Sequence, residues 1–319
     1  MPFGQVPEGF FIVYNMLYKY VKGDSKMQKP KVAIVGAGKV GSVLARTLYS
    51  RGYPFAGITS STVASAGKLA AEVGTAAGTK MTDLVQEAQM ILIATPDRCI
   101  GEAVEQMAKD NAFKAGQVVL HLSGGLPVEI LQPAREQGAL VGCMHPLQSF
   151  ANKEHTSETL AGVYFALSGQ DEAITQAKKV VEDFGGRSFI IGDKDKALYH
   201  AAACIVSNYT VSLMHWASQL YNKFGLSSEE ASAALLPLLQ GTVQNIKQMG
   251  VIQGLTGPIS RGDSITVGAH LGALVSKREK NMYAQLGIYT LGVALEKGSV
   301  DTEQALQMTK ILERGSKGD

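Results

Sequence analysis

Short, wholly apolar runs alternate with amphipathic stretches as far as Ile191, and no such run follows. A short apolar run bounded by turn residues reads as a strand buried on both faces. Apolar residues at three- and four-residue spacing read as a helix. Strands are predicted at Lys31–Val35, Phe55–Thr59, Met90–Ala94, Val118–Leu122, Val141–Met144, Val163–Leu167 and Ser188–Ile191. Helices are predicted between them at Val40–Arg51, Ala64–Val73, Thr82–Ala88, Ile100–Lys109 and Glu172–Phe184. This alternation specifies an α/β domain with a doubly wound, mostly parallel sheet. Beyond Asp193 only helical spacing remains, at Lys196–Phe224, Ser228–Met249, Ser264–Val275, Lys280–Glu296 and Asp301–Arg314. The expected organisation is an N-terminal extension at 1–27, the α/β domain at 28–193 and an all-α domain at 194–319.

The segment Gly36-Ala37-Gly38-Lys39-Val40-Gly41 joins the first strand to the first helix. In a Rossmann turn the first glycine permits the tight bend and the second lets backbone approach a pyrophosphate. The third lets the helix pack on the strand. The helix N-terminus then offers free N–H groups and a positive dipole end to the phosphates. Gly36, Gly38, Lys39, Val40 and Gly41 are therefore expected to bind a nicotinamide dinucleotide. The second strand ends at Thr59-Ser60-Ser61-Thr62, with no acid before Glu72 to hold the ribose 2′-hydroxyl of NAD. The hydroxyls of Ser60 and Ser61, with Lys68 in reach, favour a 2′-phosphate. NADP is the expected cofactor and NAD the alternative. Thr95 and Pro96, after the next strand, are expected beside the ribose or nicotinamide.

Composition narrows the partners. Apolar residues make up 45% and charged residues 18%, which suits packed domains and not a disordered chain. A net charge of +2 without a Lys/Arg run leaves no footprint for nucleic acid or an anionic membrane. Cys99, Cys143 and Cys204 stand far apart and read as reduced core residues of a cytoplasmic protein. No segment is apolar for the roughly 18–20 residues that a membrane span needs. Phe10–Tyr18 lacks the basic flank and cleavage site of a signal peptide. Residues 1–26 are expected to be an extension upstream of a start at Met27. The six histidines have no ligand spacing, so no metal is expected.

Further polar residues fall where strands end. Ser123 follows one strand and His145 closes another, both facing the crevice at the carboxyl edge of the sheet. An imidazole titrates near working pH, so His145 is a candidate to exchange a proton with a substrate oxygen. His121, inside its strand, reads as structural. Lys196 and His200 share one helical face, with Ser207 about 20° off it and Asn208 turned well away. Thr256 and Arg261 lie in a Gly/Ser/Thr loop before a helix, a candidate cradle for a carboxylate. Asp263 or Ser264 there also suits a simple N-cap, and His270 reads as a packing residue.

The glycine loop, Thr95-Pro96-Asp97, His121-Leu122-Ser123-Gly124, His145-Pro146-Leu147-Gln148, Tyr199-His200-Ala201-Ala202-Ala203 and Thr256–Asp263 together resemble one bacterial family assigned to the oxidoreductases. That family joins a Rossmann-like domain to a helical domain of unknown function. It often carries an arginine after the second strand, where this chain has Ser60-Ser61-Thr62. Prephenate dehydrogenases are similar at Ser123 and His145, which implies a histidine bonded to the substrate hydroxyl. Pyrroline-5-carboxylate reductases are similar over 226–275, which implies a carboxylate-holding loop and a homodimer formed through the C-terminal helices. Arg261-Gly262-Asp263 departs from their loop. The 6-phosphogluconate dehydrogenase-like superfamily implies the type of the helical domain and a lysine general acid near Lys196. The expected function is hydride transfer between NADP and a small anionic carbonyl, imine or hydroxy compound. His145 or Lys196 would exchange the proton, Ser123, His200 and Asn208 would hydrogen-bond, and Thr256 and Arg261 would orient a carboxylate. The alternative is a non-catalytic protein that senses the dinucleotide.

Overall fold

The computed structural model describes residues 29–78, 81–151 and 157–317. The expected extension, with its Phe10–Tyr18 run, lies outside them. The strands are β1 Val32–Val35, β2 Phe55–Thr59, β3 Ala77–Gly78, β4 Met90–Ile93, β5 Val118–His121, β6 Leu140–Pro146, β7 Tyr164–Gly169 and β8 Arg187–Ile190. They form one eight-stranded sheet in the order β3-β2-β1-β4-β5-β6-β7-β8. Neighbours run parallel except β6 and β7, which are antiparallel.

The uninterrupted apolar runs follow from burial on both faces. Val32 and Ile34 of β1, Met90 and Leu92 of β4 and Leu120 of β5 enter one core. Ala33, Val35, Ile91, Ile93 and Val119 enter the other. Successive side chains point to opposite faces, so a strand covered by helices on both sides is apolar along most of its length. β1 pairs with β2 on one side and β4 on the other. The chain therefore winds outward from β1 in both directions, and the crevice at its carboxyl end is the switch point where such folds bind ligands. β3, two residues long, and the five-residue helix Gln132–Glu136 are too short to show a period, and neither is predicted from the sequence.

Two compact units result, the first ending at Tyr209 and the second spanning Thr210–Asp319. The division lies later than the boundary after residue 193 expected from the last strand. The Lys196–Val206 helix holds no strand, yet it is fastened to the sheet edge. Lys196 Nζ donates to the Leu126 carbonyl at 2.7 Å, and Tyr199 Oη lies 2.6 Å from His145 Nδ1. One long helix was expected over Lys196–Phe224. Instead the chain forms Lys196–Val206 and Asn208–Asn222, parted at Ser207. No glycine or proline marks the break, so the apolar period runs through it unaltered.

The second unit has its own core of Val267, Leu271, Ala284, Leu291, Met308 and Leu312. Helices Ser228–Gln253 and Lys277–Lys297 each open on a reciprocal cap, Ser227 with Glu230 and Ser276 with Glu279. The first of these buries Ala231 and Leu235, while Leu238, Val243 and Val251 stand exposed. Among the described residues no helix is long and apolar enough to cross a membrane.

Candidate functional site

The glycine loop is built as the motif requires. Gly36 has φ +114°, and a Cβ there would stand 2.7 Å from the Ala94 carbonyl. A Cβ on Gly41 would stand 2.0 Å from the Gly36 oxygen, so both positions exclude any side chain. Gly38 differs, because its Cβ would meet only Ala94 O, at 3.9 Å. Packing therefore demands Gly36 and Gly41, whereas Gly38 opens outward at the cap of the Lys39–Ser50 helix. That helix has no side-chain cap and no acid in its first turn, so its terminal N–H groups and positive dipole end face outward uncancelled.

Beside the loop lies a cavity of about 280 Å³, lined by Gly36, Thr59, Ser60, Ser61, Thr95 and Glu102 among others. Among the described residues the buried hydroxyls of Thr59 and Thr95 have no partner. Open backbone at Gly38, free helix donors and orphaned hydroxyls fit a dinucleotide. Lys39 is exposed at the first helical position, Val40 is half-buried, and Pro96 stands at the N-cap of Asp97–Lys109. Glu102 is a lining residue that sequence reasoning missed. It lies a helix away from β2, and only the packing of Asp97–Lys109 brings its carboxylate to the crevice.

A second cavity of about 560 Å³ opens where β6 ends, with His145, Phe189, Tyr199, His200, Ser207 and Asn208 in its wall. The His145 and His200 rings stand edge to face, 6.1 Å between centroids. A Cβ on Gly124 would lie 2.7 Å from His200 Nδ1 and 2.9 Å from His145 Nε2, so glycine alone lets both imidazoles close on this loop. Ser207 and Asn208 line the wall together. Asn208, expected to meet the crevice only from the side, lies at the start of the Asn208–Asn222 helix. Tyr199 and Phe189 are wall residues that sequence reasoning missed.

Ser123 and Lys196 lie beneath this wall. Ser123 Oγ donates to Asp97 Oδ2 at 2.7 Å and accepts from the N–H groups of Gly125 and Leu126. Its hydroxyl is thus engaged in shaping the Gly124–Leu126 turn. Lys196 is 1% exposed and places its ammonium on the Leu126 carbonyl, beside the buried thiol of Cys143. His121, fully buried, accepts from the Ser123 N–H through Nδ1, the structural role expected of it.

Burial, then the charge of Lys196 and the neighbouring His145, hold His121 down at about 3. Burial also lowers His145 to about 4, with His200 and Lys196 adding to the shift and Asp97 opposing it. Each imidazole accepts a proton more readily in the unfolded chain, so acid favours unfolding. Stability is expected to fall as pH drops below the ordinary 6.5, the loss being complete below the folded values of about 3 and about 4. For His121 the loss is on the order of 4 kcal/mol. Thermal melts from pH 7 to 4 check this: the His121→Asn protein should lose part of the acid limb, and a flat wild-type profile would contradict it.

In the second unit Thr256 and Arg261 are both exposed. Asp263 caps the Ser264–Ala273 helix, accepting from Thr266 N at 3.0 Å, so the simple capping role holds there. His270 Nδ1 pairs with Tyr283 Oη at 2.7 Å. Neither Thr256 nor Arg261 joins the cavity of this unit, which Trp216, Arg278 and Glu279 help to line. Among the described residues no group of three His, Cys, Asp or Glu side chains is placed to hold a metal ion.

Residues 18–146 match the Rossmann-like domain model, and residues 163–290 match a domain of unknown function, DUF2520. No curated protein matches the chain. Among solved structures it is similar to a Bacteroides fragilis protein described as an NADP oxidoreductase, at 20% identity and TM-score 0.68 over 84% of this chain and 100% of that one. Protein TM1727 from Thermotoga maritima is 25% identical, with TM-score 0.59 over 88% of this chain and 98% of its own. The 1-pyrroline-5-carboxylate reductase of Streptococcus pyogenes is 14% identical, with TM-score 0.54 over 91% and 99%. At such identities the likeness is one of fold.

Proposed function

This chain is a member of the family that joins a Rossmann-like domain to DUF2520, and from that premise we propose that it is an NADP-dependent oxidoreductase of a small carbonyl, imine or hydroxy compound. The observation that carries this reading is the convergence of His145, Tyr199 and His200 on one cavity at the carboxyl edge of the sheet. The same edge carries a glycine loop fitted to a dinucleotide, which when bound supplies or accepts a hydride at its nicotinamide.

His145 holds the substrate's reacting atom and exchanges the proton there. His200, beside His145, and Asn208 orient the substrate in the same cavity. Ser123 and Lys196 act at one remove: Ser123 Oγ and the Lys196 ammonium hold the Gly124–Leu126 turn against both imidazoles. Ser60 and Ser61 favour the 2′-phosphate of NADP, while Glu102 on the same cavity favours a free ribose hydroxyl. The exposed apolar residues of Ser228–Gln253 support a homodimer through this helix, which sedimentation analysis checks.

Fluorescence titration with NADPH and NADH, followed by cofactor oxidation with a library of small carbonyl and imine compounds, tests the reading. NADPH should bind at least about tenfold more tightly, a difference of 1.4 kcal/mol. Tighter NADH binding would overturn the NADP assignment alone. Binding of either cofactor without turnover on any compound would favour a dinucleotide sensor.

A further inference from the structure

His145 carries two nitrogens, and the cavity depends on which of them holds the proton. Nδ1 lies 2.6 Å from Tyr199 Oη, which leaves Nε2 as the nitrogen available to a bound molecule. Burial lifts the Tyr199 phenol to about 12 and holds His145 at about 4, so at neutral pH the pair is an intact phenol beside a neutral imidazole. A neutral imidazole has one N–H donor and one acceptor nitrogen. Two arrangements satisfy the short contact: phenol O–H to Nδ1, or Nδ1–H to the phenol oxygen.

Chemistry favours the first. A phenol is a far stronger acid than a neutral imidazole N–H, so it is the better donor in a pair of these two. Among the described residues no other acceptor lies within hydrogen-bonding distance of the Tyr199 hydroxyl, so reversing the bond would leave that half-buried O–H without a protein partner. Losing such a bond shifts an equilibrium by about tenfold. Among the described residues the buried Nδ1 of His200 has no hydrogen-bond partner, so a tautomer is set at His145 alone.

We propose that Tyr199 is a positioning residue that locks His145 in the Nε2–H tautomer, so that His145 presents a donor to the cavity and takes a substrate whose reacting atom is an acceptor oxygen, not an iminium nitrogen. The selection of substrate rests on the reading of this cavity as the reaction site; the tautomer does not. An iminium presents an N–H donor and a positive charge to this donor, whereas a ketone oxygen accepts from it.

Long-range nitrogen–proton NMR on protein carrying ¹⁵N-histidine at pH 7 tests the tautomer, with His145→Gln assigning the signal. Wild-type His145 should show a protonated Nε2 and a bare Nδ1. Tyr199→Phe should raise the Nδ1–H population by about tenfold. A proton on Nδ1 in the wild type, or no change in Tyr199→Phe, would overturn the proposal, and the wild-type spectrum decides even if the variant does not fold. NADPH oxidation with cyclohexanone and with 1-pyrroline tests the substrate class. Higher kcat/KM for the ketone supports it, and higher kcat/KM for the imine overturns it. Turnover of neither overturns the substrate selection, while the tautomer stands on the spectrum and the oxidoreductase reading is decided by the library.

Discussion

Gly41→Ala is expected to destabilise the protein by about 3 kcal/mol or more, while Gly38→Ala should fold normally and bind the dinucleotide far more weakly. The contrast comes from where each methyl group would go. At Gly41 it would stand 2.0 Å from the Gly36 oxygen, inside the contact between helix and strand. Backbone has no rotamer with which to yield, so the helix must move off the sheet. At Gly38 the nearest neighbour is Ala94 O at 3.9 Å, and stability should change by no more than about 0.5 kcal/mol. That methyl would occupy the side from which a pyrophosphate approaches, and a loss of about a hundredfold in affinity is expected. Thermal melts and fluorescence titration on both variants check the pair. Wild-type affinity in Gly38→Ala would mean that the dinucleotide does not lie on this loop.

His145→Gln should lower kcat/KM by about a hundredfold to ten-thousandfold while leaving cofactor affinity unchanged. Glutamine keeps a donor and an acceptor in the cavity but cannot exchange a proton near neutrality. The wild-type pH profile carries its own signature. Burial and the facing His200 and Lys196, opposed by Asp97, keep His145 neutral down to about pH 4. Activity dependent on the neutral ring should therefore stay level through pH 6.5 and fall only as pH drops through about 4. Initial rates after a rapid pH jump would separate this limb from acid unfolding. A fall centred near 6.5 would place the ring in a wetter setting than the cavity provides.

Much of the first unit is legible along the chain because burial on both faces leaves the central strands β1 and β4 wholly apolar and their neighbours nearly so. β2 falls where its pattern places it, and β1, β4 and β5 differ from expectation by a residue at an end. The glycine loop is legible for the same reason: a bend too tight for a Cβ at Gly36 and Gly41 admits one residue type. Site residues next to strand ends, Ser123 and His145, are found by that rule. Their tasks are not. Ser123 lies beneath the wall because its hydroxyl has three closer partners, and Lys196 turns its ammonium to the Leu126 carbonyl.

The sequence by itself determined the sheet, the dinucleotide loop and the switch to helices after Ile191. Each rests on short-range rules: side-chain alternation, the steric limits of a turn, and helical periodicity. Only the tertiary structure decided that the Lys196–Val206 helix stays with the sheet, that Asn208 reaches the cavity past a break at Ser207, and that Glu102 borders the cofactor crevice. It alone placed Tyr199 on His145. Those pairings join residues tens of positions apart, and the packing that brings them within a hydrogen bond leaves no period in the chain to read.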